Sequence, residues 1–317
     1  MMNKVISMKF MFLSAADKAQ AWREAMLDKF PDAGFDVWPD EIRDKESYDY
    51  AIVWRPPVGE LKTFPNLKGI LSLGAGVDGI LSDTDLPENV PVVRLVDRCL
   101  TEGMSEYVLY WVIHYHRRMG VYLNWSSNGT WKQMRQTDTR DRKVGFLGLG
   151  ELGGDAARKV AALGFDVAGW SRTEKHIDGV TSFHGEDGLI PFLNRTQILV
   201  ILLPLTEGTR GIINKDTLAA LPKGADLINC ARGPHVVDED LLAALDSEHI
   251  NAATLDVFHT EPLPADHPYW SHPKVTVTPH MASLTVPSSA ADWMEENIKR
   301  IEAGQPPLNT VDIKKGY

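Results

Sequence analysis

Short apolar runs alternate along this chain with longer stretches whose apolar positions recur every three to four residues, and that alternation predicts β-α-β order over most of its length. A first strand is expected within residues 1–14. Ser14, followed three residues later by Asp17, makes a capping-box-like start for a helix over 15–29, which Pro31 stops. Further strands are expected over 50–54, 70–73 and 92–96, separated by Pro, Gly and Asp turns. From 101 to 119, Met104, Val108, Trp111, Val112, Tyr115 and Met119 fall at helical spacing, which predicts a long helix with one buried face that crosses between domains. The Ser-, Thr-, Asn- and charge-rich stretch 124–141 reads as a surface connection.

A second unit opens with a strand over 143–148 and continues with strands near 165–170, 197–202, 225–229, 252–256 and 275–278. Helical stretches are expected around 151–163, 215–221 and 238–245. Six strands in β-α-β order are the signature of a doubly wound parallel sheet. A last helix, about 285–303, is closed by Gly304 and can return to the first unit.

With 317 residues and 44% hydrophobic content, the chain is long enough for two cores, so two domains are expected. The 43 acidic against 33 basic residues give a net charge of −10, which disfavours nucleic acid, and any anionic ligand then needs local positive charge. Cys99 and Cys230 lie far apart and outside any C-x-x-C pair, so neither a disulfide framework nor a zinc knuckle is suggested, and two reduced thiols fit the cytosol. Lys4 and Lys9 interrupt the apolar start, which is too broken for a secretory signal. No segment approaches the roughly 20 apolar residues that span a bilayer. A cytoplasmic protein without membrane partners is expected.

Between the strand 143–148 and the helix after it stands Gly148-Leu149-Gly150-Glu151-Leu152-Gly153. In a dinucleotide fingerprint the first glycine allows the tight turn, the second lets backbone approach a pyrophosphate, and the third lets helix pack close to strand. The helix beginning at Glu151 then presents its positive end to phosphate. Such spacing also serves purely structural turns and methyltransferases, and here the preceding strand and following helix favour the cofactor reading. Where NAD-binding versions carry an acid for the ribose, this chain has Ser171-Arg172-Thr173. Two hydroxyls and a guanidinium suit a 2′-phosphate, so NADPH is expected over NADH. The plainer alternative is a solvated Arg172 at a turn.

Arg232, Glu261 and His280 each follow a predicted strand, and ligands of open α/β sheets bind outside the carboxyl ends of strands. Reduction of a 2-oxo acid needs a cation for the carboxylate and carbonyl oxygen and a proton donor for the nascent alkoxide. Arg232 meets the first need. His280 meets the second, with Glu261 as the carboxylate that orients the ring and favours its protonated form. Taken singly, these residues are more often surface charge, a satisfied core histidine and a turn cap; three at successive strand ends beside a dinucleotide motif are not independent.

The strings GLGELG, ILLPLT, LINCARGPHVVDEDLLAAL, ATLDVF-x-x-EPLP and HP-x-VTVTPH resemble the D-isomer-specific 2-hydroxyacid dehydrogenase family over about residues 143–289. WSRT, the Arg-Gly-Pro-His-Val-Val run and LGAGVD upstream are most similar to its glyoxylate/hydroxypyruvate reductase A branch, and the resemblance then covers nearly the full chain. It implies that Arg232, Glu261 and His280 are the catalytic set, with His280 as acid/base. The turn Gly74-Ala75-Gly76-Val77-Asp78 matches the loop that holds the substrate carboxylate, giving Ala75 and Gly76 as substrate contacts beside Arg232. Successive N–H groups in a Gly-rich turn do form an anion-binding concavity, although an ordinary strand-to-helix turn looks the same in sequence. Trp54 ends another strand and can wall the pocket, favouring small substrates, or sit in the core. Leu203, Pro204, Ala231 and Asp256 match positions lining the nicotinamide side, with Asp256 able to accept from the carboxamide. Ser171 stands where family members often carry Asp, which puts NAD use in doubt.

The fold implied is α/β: a doubly wound (Rossmann) cofactor domain over 103–286, inserted in a smaller flavodoxin-like α/β substrate domain made of 1–102 and 287–317. The expected activity is NADPH-dependent reduction of glyoxylate to glycolate and hydroxypyruvate to D-glycerate, in a cleft whose closure excludes water. A homodimer through the dinucleotide domain is implied as well. The rivals are a dehydrogenase for a larger D-2-hydroxy acid of phenylpyruvate or D-lactate type, and a non-catalytic dinucleotide sensor. A methyltransferase is the weakest, having no use for the three residues.

Overall fold

The computed structural model describes residues 8–313 and 315–316. The chain divides into two compact units, Met1–Leu100 with Thr285–Tyr317, and Thr101–Leu284. In the first, strands β1 (Lys9–Leu13), β2 (Gly34–Val37), β3 (Tyr50–Val53), β4 (Gly69–Ser72) and β5 (Val92–Val93) form a sheet in the order β2-β1-β3-β4-β5, with every pairing parallel. That is the flavodoxin-like order. The part of the expected first strand before residue 8 lies outside the described residues.

Alternation along β1 explains why both faces of this sheet are covered. Phe10 and Phe12 face a core with Trp22 and Met26 of helix α1 (Ala19–Lys29), together with Ala290, Ala291, Met294 and Ile298 from the last helix. Met11 and Leu13 face the opposite core, with Tyr48, Leu61, Phe64 and Ile80. Helix α1 starts later than the sequence suggests. Ser14 Oγ donates to Asp17 and accepts the Ala16 and Asp17 N–H groups, so the pair builds a turn ahead of the helix rather than its first residues. A short helix, α2 (Asp78–Leu81), follows β4 in this unit.

The second unit is built on β6 (Lys143–Leu147), β7 (Asp166–Ser171), β8 (Val180–His184), β9 (Ile198–Ile201), β10 (Ala225–Asn229), β11 (Ile250–Leu255) and β12 (Val275–Val277). Their order is β12-β11-β10-β9-β6-β7-β8, all parallel, and the order reverses between β6 and β9. This is the doubly wound arrangement with one added strand. Helices α3 (Arg98–His116) and α5 (Glu151–Ala162) pack on one face, through Met104, Val108, Val112, Ala156, Ala157 and Val160. Helices α6 (Gly185–Arg195), α7 (Lys215–Ala220) and α8 (Asp238–Asp246) place Phe192, Leu193, Leu218, Leu241 and Leu245 in the core of the other.

Further elements depart from the sequence reading. Strands β2 and β8 and helix α6 are additions to it; β8 is an edge strand of mixed polarity, Val-Thr-Ser-Phe-His, and α6 carries Pro191 inside it. The sheet therefore has seven strands rather than six. The long helix breaks at Arg118, whose φ is 54°, so Met119 opens a separate helix α4 (Met119–Ser127) that reaches into the stretch read as a connection. The last helix, α9 (Pro287–Glu302), belongs to the first unit, where Glu302 accepts from Tyr50 Oη at 2.8 Å and from Lys68 Nζ at 2.9 Å. No helix among the described residues is long and apolar enough to cross a membrane.

One buried carboxylate works against stability. Burial pushes Asp226, near the start of β10, up to about 7, opposed only in part by the Asn251 side chain at 2.6 Å and by Arg142 and Arg118. Because the folded value exceeds the ordinary 3.8, its favourable contribution is complete below about 3.8 and is lost as pH rises through about 7. Asp226→Asn, which still accepts from Asn251, is expected to gain stability on the order of 3 kcal/mol at pH 8 and much less at pH 5. Urea unfolding at the two pH values checks this; an equal effect at both would contradict it.

Candidate active site

The turn leaving β6 has the geometry a dinucleotide needs. Gly148 has φ 103°, its N–H donates to Trp170 O at 2.9 Å, and a β-carbon there would meet Leu202 O at 2.6 Å. Only glycine combines that dihedral with that approach. A β-carbon on Gly153 would stand 2.1 Å from Gly148 O, so α5 lies directly on the turn. Gly150 is different: nothing lies within 4 Å of its missing side chain, leaving an open approach at the N-terminus of α5. The N–H groups of Glu151, Leu152 and Gly153 open that helix and lack intrahelical acceptors, which is where an anion is favoured. The residues fit a pyrophosphate.

Ser171-Arg172-Thr173 leaves β7 beside this turn, since β6 and β7 pair Leu147 with Trp170. Ser171 is buried and donates to Thr173 O at 2.7 Å, tightening the corner, while Arg172 and Thr173 are exposed. After β9, Leu203 is buried and Pro204 exposed, and Pro204 O accepts from Thr209 Oγ1 at 2.7 Å.

Arg232, Glu261 and His280 follow β10, β11 and β12, three neighbouring strands at one end of the sheet. Asn229 shapes the first corner: its Oδ1 accepts from Ala231 N and its Nδ2 donates to Arg232 O. Arg232 Nη1 donates to Ala231 O at 2.7 Å. Behind Arg232, Gly233 lies against the loop that bears Glu261, and a β-carbon there would be 2.0 Å from the Phe258 carbonyl carbon. Glu261 Oε1 accepts from Phe258 N at 3.0 Å, and Oε2 lies 2.8 Å from His280 Nδ1. With Nδ1–H directed at the carboxylate, Nε2 is the nitrogen left for a substrate, and the pair can hold and deliver a proton.

Asp256 has more to do than its sequence position suggests. It is fully buried and its pKa is raised by that burial, while Oδ1 accepts from Thr278 Oγ1 at 2.6 Å and Met281 N at 2.9 Å, and Oδ2 from Ala282 N at 2.9 Å. Its own carbonyl accepts from His280 N at 2.8 Å. What this geometry assigns to Asp256 is support of the His280 turn. Tyr107 from α3 completes it, its hydroxyl 2.8 Å from Thr278 Oγ1. Sequence reasoning does not single out Asn229, Thr278 or Tyr107 as site residues, and nothing local in the chain announces that Tyr107 meets a partner 171 residues away.

In the first unit, Ser72 Oγ donates to Gly74 O and accepts from Gly74 N, bending the chain after β4. The N–H groups of Ala75 and Gly76 donate to no acceptor among the described residues. The turn is thus prepared for an anion. Trp54 packs against it so closely that a β-carbon on Gly74 would meet Cζ3 of the ring at 2.7 Å. Trp54 is half-buried and walls this turn.

Comparison with known proteins identifies the family and the fold. The model of "D-isomer specific 2-hydroxyacid dehydrogenase, NAD binding domain" matches residues 109–282. The chain is 44% identical, over 98% of its length and all of the relative's, to a glyoxylate/hydroxypyruvate reductase A of Photorhabdus laumondii. A D-isomer-specific 2-hydroxyacid dehydrogenase from Xanthobacter autotrophicus Py2, solved with NADPH and MES, superposes with a TM-score of 0.94 at 45% identity, over 98% of this chain and 100% of that one. An NADPH-dependent glyoxylate/hydroxypyruvate reductase from Sinorhizobium meliloti, solved with NADP and sulfate, gives 0.92 at 38% identity with the same coverage.

Two glycines should respond in opposite ways. Gly233→Ala has no room, and is expected to lose about 1–3 kcal/mol of stability by displacing the Glu261 loop. Gly150→Ala meets open space, and should melt within about 0.5 kcal/mol of wild type while binding dinucleotide more weakly. Thermal melts with a cofactor titration check both; unimpaired binding by Gly150→Ala would remove the pyrophosphate from that side of the turn.

Proposed function

The chain belongs to the D-isomer-specific 2-hydroxyacid dehydrogenase family, and from that premise we propose that it uses NADPH to reduce glyoxylate to glycolate and hydroxypyruvate to D-glycerate. The observation that carries the reading is the 2.8 Å pairing of His280 with Glu261 on the same sheet as the Gly148 turn. Held by the Gly148–Gly153 turn, NADPH would supply the hydride for the keto carbon. The chain's own groups do the rest. Arg232 binds the carboxylate and steadies the developing negative charge on the carbonyl oxygen. His280, held by Glu261, releases a proton from Nε2 to that oxygen, and one 2-oxo acid, one hydride and one proton leave as the 2-hydroxy acid. Within the first unit, the Ala75-Gly76 turn suits a carboxylate and Trp54 packs closely against Gly74, which supports a short substrate over a phenylpyruvate-type one.

Arg172 at the corner after β7, with Ser171 where an acid would repel a phosphate, supports NADPH over NADH. The Xanthobacter and Sinorhizobium neighbours are themselves NADPH or NADP complexes. A homodimer through the dinucleotide unit is supported by its apolar exposed residues: Tyr110 and Ile113 on α3, Val121 and Leu123 on α4, and Trp131, which is 97% exposed.

Initial rates with glyoxylate, hydroxypyruvate, pyruvate and phenylpyruvate against both cofactors test this function. The two small substrates with NADPH should dominate; cofactor binding without turnover of any 2-oxo acid would favour a sensor, and preference for phenylpyruvate a larger-substrate dehydrogenase. His280→Ala is expected to lower kcat by ~10²–10⁴-fold with NADPH affinity retained. Arg172→Ala should raise the KM for NADPH roughly tenfold or more and leave NADH unaffected. Light scattering should give about twice the 35.3 kDa chain mass; a monomer would refute the dimer.

A further inference from the structure

His235 closes the 3₁₀ turn Gly233–His235 that follows Arg232, and it is completely buried. Each ring nitrogen faces the backbone of a different loop of the same unit. Nδ1 lies 3.3 Å from Arg232 N and 3.1 Å from Arg232 O, and Nε2 lies 3.3 Å from Pro204 O. The surrounding groups select one tautomer. A carbonyl cannot donate, so Nε2 must carry the proton that Pro204 O accepts. In a ring with one proton Nδ1 is then an acceptor and takes the Arg232 N–H. Arg232 O does not need the ring, because it already accepts from Asn229 Nδ2 at 3.0 Å and from His235 N at 3.3 Å.

The imidazole therefore bridges the corner that carries Arg232 and the loop Leu203-Pro204 after β9. Two further bonds tie this turn to a later part of the connection after β9: Gly211 N donates to Pro234 O at 2.8 Å, and Ile213 N to His235 O at 2.9 Å. These hold the main chain of the turn whatever side chain stands at 235. The ring alone acts on Arg232 N and Pro204 O together. It reaches neither substrate nor cofactor, since it is fully buried.

We propose that His235 is a positioning residue with two separable halves, Nδ1 fixing Arg232 for the substrate carboxylate and Nε2–H fixing the Leu203-Pro204 loop for the nicotinamide half of the cofactor. The proposal rests on the functional reading of Arg232 and of that loop given above.

Isosteric half-replacements separate the two roles. In His235→Asn the amide oxygen takes the place of Nδ1 and keeps an acceptor for Arg232 N–H, but nothing reaches Pro204. In His235→Gln the amide nitrogen takes the place of Nε2 and keeps the donor to Pro204, but Arg232 N–H loses its acceptor. The expected outcome is a crossed pattern: the KM for glyoxylate rises roughly tenfold in His235→Gln and stays near wild type in His235→Asn, while the Kd for NADPH, read by fluorescence, rises in His235→Asn and stays near wild type in His235→Gln. His235→Ala should show both losses. Parallel changes in the two half-replacements, or none in either, would overturn the proposal. Should the variants fail to fold, ¹⁵N chemical shifts of the wild-type imidazole still decide: a neutral ring protonated at Nε2 is expected, and protonation at Nδ1 overturns the assignment. If wild-type protein binds NADPH and reduces no 2-oxo acid, the functional reading fails by itself, and the tautomer and the NADPH affinities still judge the role of His235.

Discussion

The turn that carries His280 depends on one buried carboxylate. Asp256 leaves β11 with no solvent contact, and the turn from Thr278 to Ala282 is folded around it by three donors to its side chain and one to its carbonyl. His280 sits at the apex with φ 52°, a left-handed conformation that costs a non-glycine residue about 1–2 kcal/mol. Four hydrogen bonds to Asp256 hold the turn in that conformation, and burial leaves the carboxyl group no water to turn to. Thr278 has a single hydroxyl proton and gives it to Asp256 Oδ1, so the Tyr107 hydroxyl must be the donor in its contact with Thr278. A helix on the face of the sheet thereby reaches the orientation of the imidazole through two hydroxyls.

The same economy recurs at the other strand ends. Each corner is closed by a polar side chain bonding to backbone a few residues on: Ser171 to Thr173, Asn229 to Ala231 and Arg232, Ser72 to Gly74. These bonds replace the ladder that stops where the strands end, and they leave the following side chains directed rather than loose. Glycines do the complementary work of letting loops touch. At Gly233 the β10 corner meets the Phe258–His259 backbone, and at Gly74 a turn meets the Trp54 ring. Corners are fixed by hydrogen bonds and brought together by missing β-carbons.

This division of labour governs how much the sequence discloses. The strands buried on both faces, such as Tyr-Ala-Ile-Val in β3 and Ile-Leu-Val-Ile in β9, stand out as apolar runs, and the glycine spacing after β6 declares its turn. Edge strand β8 and the four-residue β2 lack such runs, because an edge needs to bury only part of its surface. Helix α4 hides for the opposite reason: none of its residues is buried within the chain, so no periodic face marks it. In the site, Arg232, Glu261 and His280 are legible as chemistry at strand ends, but the bonding of Asp256 is not. An Asp at the end of a strand reads alike whether it faces a ligand or the chain, and only the folded backbone of residues 25 and 26 positions later, closing on it, tells the two apart. His235 is legible as part of a motif and not as a bridge, since its second partner is 31 residues upstream.

The corner after β7 shows how a net charge of −10 constrains ligand choice. An anionic cofactor approaches a chain whose long-range field repels it, so recognition has to be supplied by local groups. At the pyrophosphate side these are backbone N–H groups at the start of α5, which carry no counter-charge to be desolvated. At the ribose side an acid would add to the repulsion, whereas Ser171 spends its hydroxyl on Thr173 O and contributes no charge. On the proposed reading a 2′-phosphate gains from Arg172 what a ribose hydroxyl would not, because a guanidinium offers paired donors and a permanent charge to phosphate and little to a neutral hydroxyl. On the proposed reading the acidic background sharpens the distinction: with little general attraction for either cofactor, a cation stationed where they differ decides between them.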